Sequence, residues 1–436
     1  MSDFASASLI ENVRFNATVI VPNAAQGIFS RRRTAVAAAT RAGVDREAIG
    51  LLAGMARSYR CRPVWVRAAA NRALLLLDPN DARELLDRSP DPFASDPAPK
   101  RDGMCTWQPD ALTLSRGKRW EKRRRFTEAV LGTGESATAA TGFAAAARRE
   151  ARRLLDGPAA LRAGELSWDP LHSAIQRLAR RVILGDSAAE QLALSVDLEA
   201  LMAEGNSMPG RPSERLPAYM DLLEAALQRA ESGSLAAVIA TTPHDESIRA
   251  AGQLPHWLFA CGDTLAANLA RALIVLAADP EAQARAAAAG ADTAGGYLEG
   301  CLQEAMRLWP TTPLLSRLLL RDSEFSGGRL AAGTQVLIVN TFLHRDRDRV
   351  ADAERFDPER WIDPDRRAAE TPSYNHFSAG PQGCPGRDLA LALGRNFLAE
   401  ILAAGSLRGQ SGAIDPAKPM PAMLDFFGLR VVAAHR

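Results

Sequence analysis

The chain has 436 residues, about three times the ~150 residues of a typical domain, which allows either several domains or one large fold with a sizeable core. Its composition, 47% hydrophobic and 24% charged, excludes the disordered and collagen-like classes. The 53 Lys and Arg residues against 51 Asp and Glu residues leave a net charge of only +2. A chain-wide attraction to nucleic acid or anionic lipid is therefore excluded, and any charge-driven partner must bind a local patch.

The cysteine pattern and the N-terminus bear on the cellular compartment. The cysteines are widely spaced and form no CxxC pair, so the sequence predicts neither a disulfide framework nor a structural zinc site. They are Cys61, Cys105, Cys261, Cys301 and Cys384. The first 22 residues lack a basic segment followed by an apolar core, which argues against a signal peptide. We therefore expect a soluble protein of the reducing cytoplasm.

Helical signals dominate along the chain, and no internal repeat or Gly/Ser- or Pro-rich linker divides it. Apolar residues recur at i, i+3 and i+4 spacing in residues 142–157, 171–185, 219–232 and 389–405. Short β-type runs cluster near residues 57–78 and 315–341, punctuated by Gly. We therefore predict one domain over residues 1–436, mainly α with a small segregated β region.

A run of Lys and Arg around one aromatic residue lies at residues 115–126. Such a run is typical of a nucleic-acid patch or of a solvated helix face. On a helix, Trp120 and Arg124 are four residues apart and therefore lie on one side. The other cations would then leave a basic surface; they are Arg116, Lys118, Arg119, Lys122, Arg123 and Arg125.

The longest apolar segment, residues 254–278, carries His256, Asp263, Asn268 and Arg271. Each charged residue near the centre of a membrane span costs about 2.5–3.5 kcal/mol, so the segment is predicted to be a buried helix rather than a span. The acidic side chain of Asp263 is costly to bury unless it is hydrogen-bonded or functional. The alternative is that this face of the helix meets solvent.

Glu304 and Arg307 lie three residues apart in an amphipathic segment, so they share a helix face and can form an ion pair. An ExxR pattern alone is common, and an ordinary surface salt bridge would explain it. The residues on its C-terminal side give the pattern more weight. Pro310 comes next, and then residues 356–361, Phe-Asp-Pro-Glu-Arg-Trp, which contain Arg360.

The most informative stretch is residues 375–386, a glycine-punctuated loop that ends just before an apolar-periodic helix predicted to run to residue 404. A lone cysteine is usually a small buried hydrophobe. Here Gly380, Gly383 and Gly386 allow the backbone to bend tightly. The N–H groups at the start of the following helix favour a thiolate at Cys384. Thiolate ligation of a metal cofactor is therefore a real option.

At these residues the sequence resembles the cytochrome P450 family of haem-thiolate monooxygenases. The family pattern Phe-x-x-Gly-x-x-x-Cys-x-Gly is met by Phe377, Gly380, Cys384 and Gly386. The resemblance implies the cytochrome P450 fold around haem b (iron protoporphyrin IX). It also implies that Cys384 is the proximal iron ligand, whose thiolate favours O–O cleavage over reversible oxygen binding. Gln382 departs from the pattern, because the family commonly has Arg or His there to reach a haem propionate.

The resemblance extends over residues 115–393, with motifs in the family's order. It implies that Trp120 and Arg124 lie beside the haem and suit its propionates, and that Arg317 is a further propionate ligand. Arg124 and Arg317 could then compensate for Gln382. The implied cofactor-binding residues are Trp120, Arg124, Arg317, Phe377, Gln382 and Gly386.

The resemblance also gives the ExxR pair a role. It implies that Glu304, Arg307 and Arg360 form a hydrogen-bonded triad that locks the core near the haem. Loss of one member of such a buried network would leave an unpaired charge, at a cost of about 3–5 kcal/mol.

In the apolar segment, Ala260, Asp263 and Thr264 match the family pattern (Ala/Gly)-Gly-x-(Asp/Glu)-Thr-(Thr/Ser), in which an acid and an alcohol lie above the iron. Cys261 stands where Gly is usual, and Leu265 where Thr or Ser is usual. An acid and a hydroxyl can relay protons during oxygen activation. The resemblance therefore implies that Asp263 and Thr264 are catalytic, which favours oxygen activation over redox-neutral rearrangement.

Electrons would come ultimately from NAD(P)H through a separate partner, as the resemblance implies. In the family, Trp-x-x-x-Arg marks a helix beside the haem, so the remaining cations of residues 115–126 would form a basic proximal face. We expect an acidic ferredoxin or flavodoxin-like electron donor to dock there. A solvated helix face is the alternative, and no nucleic acid partner is expected.

By family analogy, the substrate pocket is expected to be lined by segments that are mostly apolar. They are residues 92–107, residues 208–216, the helix around Phe259 and Leu265, residues 311–315 and residues 423–426. The expected substrate is therefore a medium-sized, largely hydrophobic small molecule of specialised metabolism.

These inferences predict a haem-thiolate monooxygenase that oxidises its substrate, most simply by hydroxylation. Two alternatives stay open. One is an atypical haem-thiolate oxidase or peroxygenase that carries out coupling, dehydrogenation or nitration, and the other is a non-catalytic haem sensor or carrier. The pair of Asp263 and Thr264 counts against peroxide use and has no purpose in a sensor, whereas coupling and dehydrogenation share the same oxidant.

Overall fold

Helices make up most of the computed structural model, which describes residues 4–132, 137–157, 165–290, 296–370, 373–409 and 414–435. Each of the four stretches with helical periodicity forms a helix. The α-helices are Leu9–Phe15, Val21–Ala25, Arg33–Ala42, Val44–Ser58, Pro79–Asp87, Ala98–Met104, Gly117–Leu131, Ala137–Asp156, Trp168–Leu184, Asp186–Ala189, Ala193–Gly205, Leu216–Gln228, Leu235–Thr241, Leu254–Phe259, Leu265–Ala278, Pro280–Ala289, Tyr297–Leu308, Asn340–Leu343, Pro364–Glu370 and Arg387–Ala404.

Shorter helical pieces connect these elements. The 3-10 segments are Leu112–Leu114, Glu246–Ile248, Ala250–Gln253, Pro358–Trp361, Gly380–Gln382 and Phe426–Gly428, and π turns lie at Asn16–Ile20 and Ala260–Thr264. The second π turn joins Leu254–Phe259 to Leu265–Ala278, and these three pieces together are the apolar helix, residues 254–278. A π turn inserts an extra residue into a helix and often marks a functional site.

Strands are short. They are β1 (Val64–Ala68), β2 (Asn71–Leu76), β3 (Phe93–Ala94), β4 (Glu165–Ser167), β5 (Leu314–Leu319), β6 (Ser323–Phe325), β7 (Gly328–Leu330), β8 (Gln335–Val339), β9 (Gly405–Gly409) and β10 (Arg430–His435). The main sheet has the order β1-β2-β8-β5-β3, and β2 and β8 pair in parallel whereas the other neighbours are antiparallel. The prediction of a mainly α fold with a small β region is confirmed.

The first β region starts later than the pattern suggests. Helix Val44–Ser58 extends into the predicted range 57–78, and the chain then turns through Arg60 and Cys61, both with positive φ, 52° and 58°. Strand β1 therefore begins only at Val64. The second predicted region, residues 315–341, contains β5 to β8.

Two large buried apolar clusters and a small third one hold the described part of the fold together. The larger one surrounds the apolar helix, whose fully buried Leu269 and Leu273 belong to the same cluster as Leu302 of helix Tyr297–Leu308 and Phe397 of helix Arg387–Ala404. The smaller cluster lies between the main sheet and the N-terminal helices. The larger cluster thus packs together the three helices that carry the motifs at Asp263, Glu304 and Cys384.

Among the described residues, one stretch, Glu246–Ala278, is long and apolar enough to cross a membrane by length and composition. In its most apolar window, 72% of the residues are buried inside the fold. Its polar residues Asn268 and Arg271 are also buried, and Arg271 donates a hydrogen bond to the Trp309 carbonyl at 2.7 Å. This packing is what the sequence predicts for a buried core helix.

Candidate functional site

The cysteine loop, residues 377–386, depends on a glycine at one position. Gly380 has a φ of 63°, in the left-handed region, and a Cβ there would lie 2.3 Å from the Leu86 carbonyl oxygen. No other residue type fits this combination without displacing the backbone. The Gly383 N–H donates to the Gly380 carbonyl at 2.9 Å, and the Cys384 N–H donates to the Phe377 carbonyl at 2.8 Å. These bonds fold the loop tightly and present Cys384.

Protein surrounds the thiol of Cys384 on most sides, although the residue keeps solvent exposure. Burial raises the pKa of the thiol, whereas the N–H of Gly386 and the charges of Arg124 and Arg387 act in the opposite direction. A metal cation bound to the sulfur would deprotonate the thiol outright. These surroundings therefore suit a cysteine that becomes a thiolate on ligating a metal.

Arg124 joins the basic helix Gly117–Leu131 to the cysteine loop. Its Nη1 donates to the Gly383 carbonyl at 2.6 Å, and its Nε donates to Glu128 at 2.7 Å. Trp120, one turn earlier, is half-buried. The residues expected to flank the haem on this helix thus include one arginine that contacts the loop directly.

The prediction of a basic surface on this helix needs a correction at Arg123. This side chain is buried, and it donates to Ser115 at 2.8 Å and to Asp110 at 2.9 Å. It faces inward with Phe126 and Val130, which lie three and seven residues later on the same helix face. The exposed cations are Arg116, Lys118, Arg119, Lys122 and Arg125.

Arg317 on β5 is a buried cation near the cysteine loop. It is only 3% exposed, and its guanidinium donates to Ser89 at 3.2 Å, to the Ser316 carbonyl at 3.0 Å and to Ser378 at 3.4 Å. These partners are all neutral. Burial lowers the pKa of Arg317 to about 10. A buried guanidinium with neutral partners is stabilised by an added carboxylate.

A second cation, Lys100, lies close to Arg317 and was missed at the level of sequence. Its Nζ donates to the Thr113 hydroxyl at 2.5 Å. Burial and then the charge of Arg317 lower the pKa of Lys100 to about 7, and Asp96 acts in the opposite direction. Lys100 lies inside the segment 92–107, which was expected to be mostly apolar lining, and its electrostatic interaction with the distant Arg317 reveals it.

Gln382 belongs to the cysteine loop itself, two residues before Cys384. Its Nε2 donates to the Ser95 hydroxyl at 3.1 Å, and its Oε1 is buried without a hydrogen-bond partner. Two cations whose hydrogen-bond partners are neutral suit an anionic group of a ligand, whereas Gln382 Oε1 is an acceptor and needs a donor rather than a carboxylate. The propionate carboxylates of a haem fit Arg317 and Lys100, and the thiol of Cys384 fits its iron.

The π turn of the apolar helix lies near the cysteine loop. Its Cys261 is buried, and burial together with the nearby Cys384 raises the pKa of the Cys261 thiol to about 12. A Cβ on Gly262 would lie 2.8 Å from the side-chain amide of Gln176, so a larger residue there would have to displace this side chain of helix Trp168–Leu184. Leu265 is buried in the larger cluster.

Asp263 and Thr264 close the π turn, and the sequence did not predict the partner of Asp263. Asp263 Oδ1 lies 2.9 Å from His172 Nε2, and Asp263 Oδ2 is buried without a hydrogen-bond partner. Thr264 is half-buried, and its carbonyl accepts from Asn268 at 3.0 Å. Asp263 is thus hydrogen-bonded on one oxygen only, as a functional acid in an apolar helix can be.

The predicted triad is assembled in the core. Arg307 donates to both carboxylate oxygens of Glu304 at 2.7 and 2.8 Å, and Arg360 donates to Glu304 at 3.2 Å. All three side chains are fully buried. The Trp361 Nε1 and the Asp357 N–H also donate to Glu304, each at 3.0 Å. Burial acts to raise the pKa of Glu304, but the two arginines outweigh it and lower this pKa.

The segments expected to line the pocket are apolar in part. Trp107 is fully buried and packs edge-on against Phe259 at 5.5 Å between ring centroids, and Phe426 is buried in the larger cluster. Segment 92–107, however, also contains Lys100 and the buried Asp96, which binds Arg101 and Arg116. The segment therefore combines apolar side chains with a few charged ones, and its role in lining a pocket stays a prediction.

Comparisons with known proteins agree with the sequence motifs. The Cytochrome P450 family model matches residues 213–413. Cyclooctat-9-en-7-ol 5-monooxygenase of Streptomyces melanosporofaciens is 26% identical over 389 residues, which cover 80% of this chain and 83% of that protein. Cytochrome P450 4V2 of Homo sapiens is 31% identical over 160 residues, which cover 34% of this chain and only 30% of that protein.

The fold has a counterpart among solved structures. The crystal structure of the cytochrome P450DA heme domain superposes with a TM-score of 0.71 over 89% of this chain and 93% of that chain, at 18% identity. This likeness shows the fold alone. The family model over residues 213–413 and the bacterial relative agree with the pattern read around Cys384, and together with the fold these comparisons support a cytochrome P450 family protein.

Proposed function

We propose that this protein activates dioxygen with electrons from a separate donor and inserts one oxygen atom into an organic substrate. The observation that carries the proposal is the packing of the helix that follows the Cys384 loop against the end of the π turn: a Cβ on Gly394 would lie 3.4 Å from the side chain of Leu265, which directly follows Thr264. The loop offers a thiolate on one side, and the turn offers an acid and an alcohol on the other. A haem sensor or carrier would need only the thiolate.

Haem b supplies the oxidising chemistry when it is bound. Cys384 would bind its iron through Sγ, with the Gly386 N–H stabilising the negative sulfur. Lys100, Arg317 and Arg124 would hold the propionate carboxylates by charge-assisted hydrogen bonds. In this proposal, these three cations of other segments replace the basic residue that the family commonly has at the position of Gln382.

The proton path is assigned to the π turn. Asp263 holds a proton on a carboxyl oxygen, and the hydroxyl of the adjacent Thr264 accepts it and passes its own proton on. Leu265, next to the pair, is buried, whereas the side chain of Asp263 is 27% exposed, so solvent can return a proton to the acid after it has passed one on.

The proposed substrate is a medium-sized, largely hydrophobic molecule that is hydroxylated. Buried aromatic side chains of the expected lining, Trp107 and Phe426, support an apolar ligand. The bacterial relative is named for the oxidation of position 5 of cyclooctat-9-en-7-ol, a cyclic alcohol by its name. A cyclic apolar alcohol is therefore the first compound class to screen, by the spin-state shift that it causes in the haem spectrum.

The proposed electron donor is an acidic ferredoxin or flavodoxin-like protein in the cytoplasm. Exposed cations on helix Gly117–Leu131 support docking beside the cysteine loop, which Arg124 contacts. Charge reversal at Arg119 and Arg125 should slow reduction by a ferredoxin about tenfold at low salt and leave reduction by dithionite unchanged. Arg41→Glu, on a distant helix, is the control. Equal slowing of dithionite reduction would argue against a docking role.

The decisive experiment is the absorption spectrum of the reduced, carbon monoxide-bound protein. Thiolate-ligated haem gives a red-shifted band, which should be present in the wild type and in Cys61→Ala and absent in Cys384→Ala. A wild type that binds no haem would overturn the proposal. A band that persists in Cys384→Ala would assign ligation to another residue.

A second experiment separates the monooxygenase from a sensor or carrier. Turnover of an accepted substrate with a surrogate ferredoxin system should fall in the Asp263→Asn, Thr264→Ala double variant by about 10²–10⁴-fold, the usual contribution of proton transfer. Unchanged turnover would remove the proton relay from the proposal. Turnover supported by peroxide alone at the full rate would favour the peroxygenase alternative.

A further inference from the structure

A helix near the N-terminus exposes a stripe of apolar side chains. Its pieces, Leu9–Phe15, the π turn Asn16–Ile20 and Val21–Ala25, follow each other without a break. Among the described residues, eight large apolar side chains are exposed, and five of them lie on this helix or just after it. These five are between 42% and 80% exposed: Leu9, Ile10, Val13, Val21 and Ile28. A contiguous group of this kind marks an interaction site, whereas single apolar residues on a surface are ordinary.

The stripe runs along the whole helix. Its exposed positions are three or four residues apart, which is the spacing of one helix face: Ile10, Val13, Ala17, Val21 and Ala24. Residues 9–25 span about 25 Å, at about 1.5 Å per residue. A long, narrow apolar stripe fits a flat surface, whereas a small molecule binds in a concave pocket.

The opposite face of this helix is already covered. Phe15 and Val19 are buried in the smaller apolar cluster, together with Leu51 and Leu52 of helix Val44–Ser58. A helix that is apolar on both sides is typical of a buried environment. The part of the chain that the structure describes covers one side only, so the stripe still lacks a partner.

Two asparagines fix the orientation of the helix. Asn12 Oδ1 accepts from the Arg67 N–H at 2.6 Å, and Asn16 Nδ2 donates to the Arg67 carbonyl at 2.7 Å. Asn16 Oδ1 also accepts from the Ala69 N–H at 2.8 Å. These bonds complete the outer edge of β1, which is an edge strand of the main sheet. The stripe therefore cannot turn inward without loss of these bonds and of the buried position of Phe15.

Positive charge is concentrated in the same part of the chain. Residues 1–72 contain eleven arginines against four Asp and Glu residues, although the whole chain has a net charge of only +2. Arg14 is exposed on the helix itself, and Arg67 and Arg72 are exposed at directly opposite positions of the β1–β2 pair. None of these three arginines forms an ion pair with a described residue. Like charges opposite each other destabilise a sheet, and a bound anion removes this cost.

We propose that the stripe and these three arginines form a peripheral membrane site that binds an anionic phospholipid bilayer. The helix lies in the plane of the membrane interface, and its apolar side chains enter the boundary between headgroups and acyl chains. The guanidinium groups bind lipid phosphates. The anionic cytoplasmic leaflet of a membrane carries the complementary charge. The inference does not depend on the proposed oxygenase role, and it needs no membrane span.

Charge decides between a bilayer and a second copy of this chain. A two-fold contact through the stripe brings the same patch of both copies face to face. The arginine groups of the two copies would then approach each other, and like charges at close range repel. An anionic bilayer attracts the same groups.

The first test is flotation of the full-length holoenzyme with lipid vesicles at low salt. We expect binding to vesicles of equal parts phosphatidylglycerol and phosphatidylcholine, and at least about tenfold weaker binding to phosphatidylcholine alone. Addition of about 0.5 M NaCl should release most of the bound protein, because salt screens the arginines. Equal binding to both kinds of vesicle would overturn the proposal. Binding to neither would also overturn it and would leave an acidic protein as the occupant.

A pair of apolar substitutions locates the site. Ile10→Ser combined with Val13→Ser should weaken binding to the anionic vesicles at least about tenfold, because both side chains enter the bilayer. Leu192→Ser combined with Val196→Ser is the matched control, since these side chains are comparably exposed at the start of helix Ala193–Gly205. The control should bind as the wild type does. An equal loss in both pairs would mean that any exposed apolar surface binds the vesicles, which contradicts the proposal.

A pair of charge substitutions tests the arginines. Arg14→Gln combined with Arg67→Gln should remove most of the difference between anionic and neutral vesicles. Arg152→Gln combined with Arg153→Gln removes the same charge from exposed side chains of helix Ala137–Asp156 and should keep that difference. Unchanged selectivity in the first pair, or an equal loss in the second, would refute a role for this patch.

Two further measurements separate this site from a dimer contact and from the proposed function. Every variant should keep the carbon monoxide band and the turnover of the wild type with a soluble surrogate donor, because none of these residues belongs to the haem site. Sedimentation velocity without lipid should show a monomer. A dimer that dissociates in the Ile10→Ser, Val13→Ser variant would assign the stripe to a second copy and overturn the proposal.

Discussion

Lys100 brings to the cysteine loop a positive charge that Gln382 lacks. It comes from helix Ala98–Met104 and lies close to the buried Arg317 of β5. Two neighbouring cations repel each other unless an anion lies near them. The protein therefore keeps an electrostatic preference for a ligand with carboxylates, although the familiar basic position carries an amide. Burial, and to a smaller extent the charge of Arg317, lowers the pKa of Lys100 to about 7.

We predict that Lys100→Met weakens haem retention. Loss of a charge-assisted hydrogen bond of about 1.5–3 kcal/mol corresponds to haem release roughly 10- to 100-fold faster. Transfer of haem to apomyoglobin measures this rate. Lys122→Met is the matched control, because that exposed lysine pairs with Asp245 instead. Equal release rates in the two variants would contradict a role for Lys100 at the propionates.

Gly380 and Gly43 allow the effect of backbone strain to be separated from that of a clash. Their φ angles are 63° and 64°, but a Cβ at Gly43 would meet nothing within 4 Å, whereas one at Gly380 would meet the Leu86 carbonyl. We predict that Gly43→Ala costs about 1–2 kcal/mol of unfolding free energy and keeps its haem. Gly380→Ala should lose more and also lose haem content. Urea denaturation and the haem-to-protein absorbance ratio check both; equal losses would exclude the clash.

Residues that act through their neighbours in sequence could be predicted, and those that act across the fold could not. The glycines around Cys384 and the spacing of Glu304 and Arg307 are local patterns. His172 and Lys100 become relevant only through partners 91 and more than 200 positions away, and no periodicity encodes such a contact. An isolated histidine on a helix is, by sequence, indistinguishable from an ordinary polar residue.

At the scale of elements, the network around Glu304 joins helix Tyr297–Leu308 to the 3-10 segment Pro358–Trp361. Five hydrogen bonds reach its carboxylate, from Arg307, Arg360, Trp361 and the Asp357 backbone. The two bonds from Arg307 stay within helix Tyr297–Leu308, and the other three join this helix to residues 357–361. The carboxylate thus replaces backbone pairing as the connection between these elements.

We predict that Glu304→Gln lowers the unfolding free energy by about 3–5 kcal/mol near neutral pH, because it leaves buried arginine charge uncompensated. The folded-state pKa of Glu304 is lowered from 4.5, so its stabilisation is present above that pH and is lost as the pH falls through the lower, folded-state value. The difference in unfolding free energy between wild type and variant, measured by urea denaturation, should therefore become smaller only in strong acid. The control is Asp87→Asn, which removes an exposed pair with Arg83 worth under about 1 kcal/mol.

Helices and strands differ in the same way: a helix can be predicted from its own residues, whereas a short strand depends on distant partners. The helices at 142–157, 171–185, 219–232 and 389–405 carry their own apolar stripes and were predicted. The three-stranded sheet β4-β10-β9 was not, because its strands have three to six residues each and come from distant parts of the chain. Such short strands are stable only once their partners are in place.

For the whole molecule, three histidines enclosed by protein set the response to acid. Burial is the main cause that lowers the pKa of His256 and His344 to about 4 and that of His376 further below its usual range. The unfolded chain binds protons near pH 6.5, before the folded chain does, so stability falls as the pH drops below that value. Each histidine contributes a slope of up to about 1.4 kcal/mol per pH unit.

We predict that the unfolding free energy of the wild type, measured by urea denaturation, declines between pH 7 and pH 4.5. In His344→Gln the decline per pH unit should be smaller, because one proton fewer is taken up on unfolding. The exposed His244→Gln should leave the slope unchanged. Any constant destabilisation by the substitution shifts the whole curve and does not alter its slope. An identical slope for His344→Gln and wild type would mean that this histidine takes up no proton on unfolding.

The contact of Gly380 with Leu86 has a consequence for biosynthesis. A ribosome that adds about 5–20 residues per second needs roughly 20–80 s to reach Cys384, and until then the end of helix Pro79–Asp87 has no loop to pack against. Haem capture therefore has to follow synthesis of almost the entire chain. During that interval the nascent N-terminal half exposes apolar surface, and chaperone binding and haem supply are expected to limit how much holoprotein a cell accumulates.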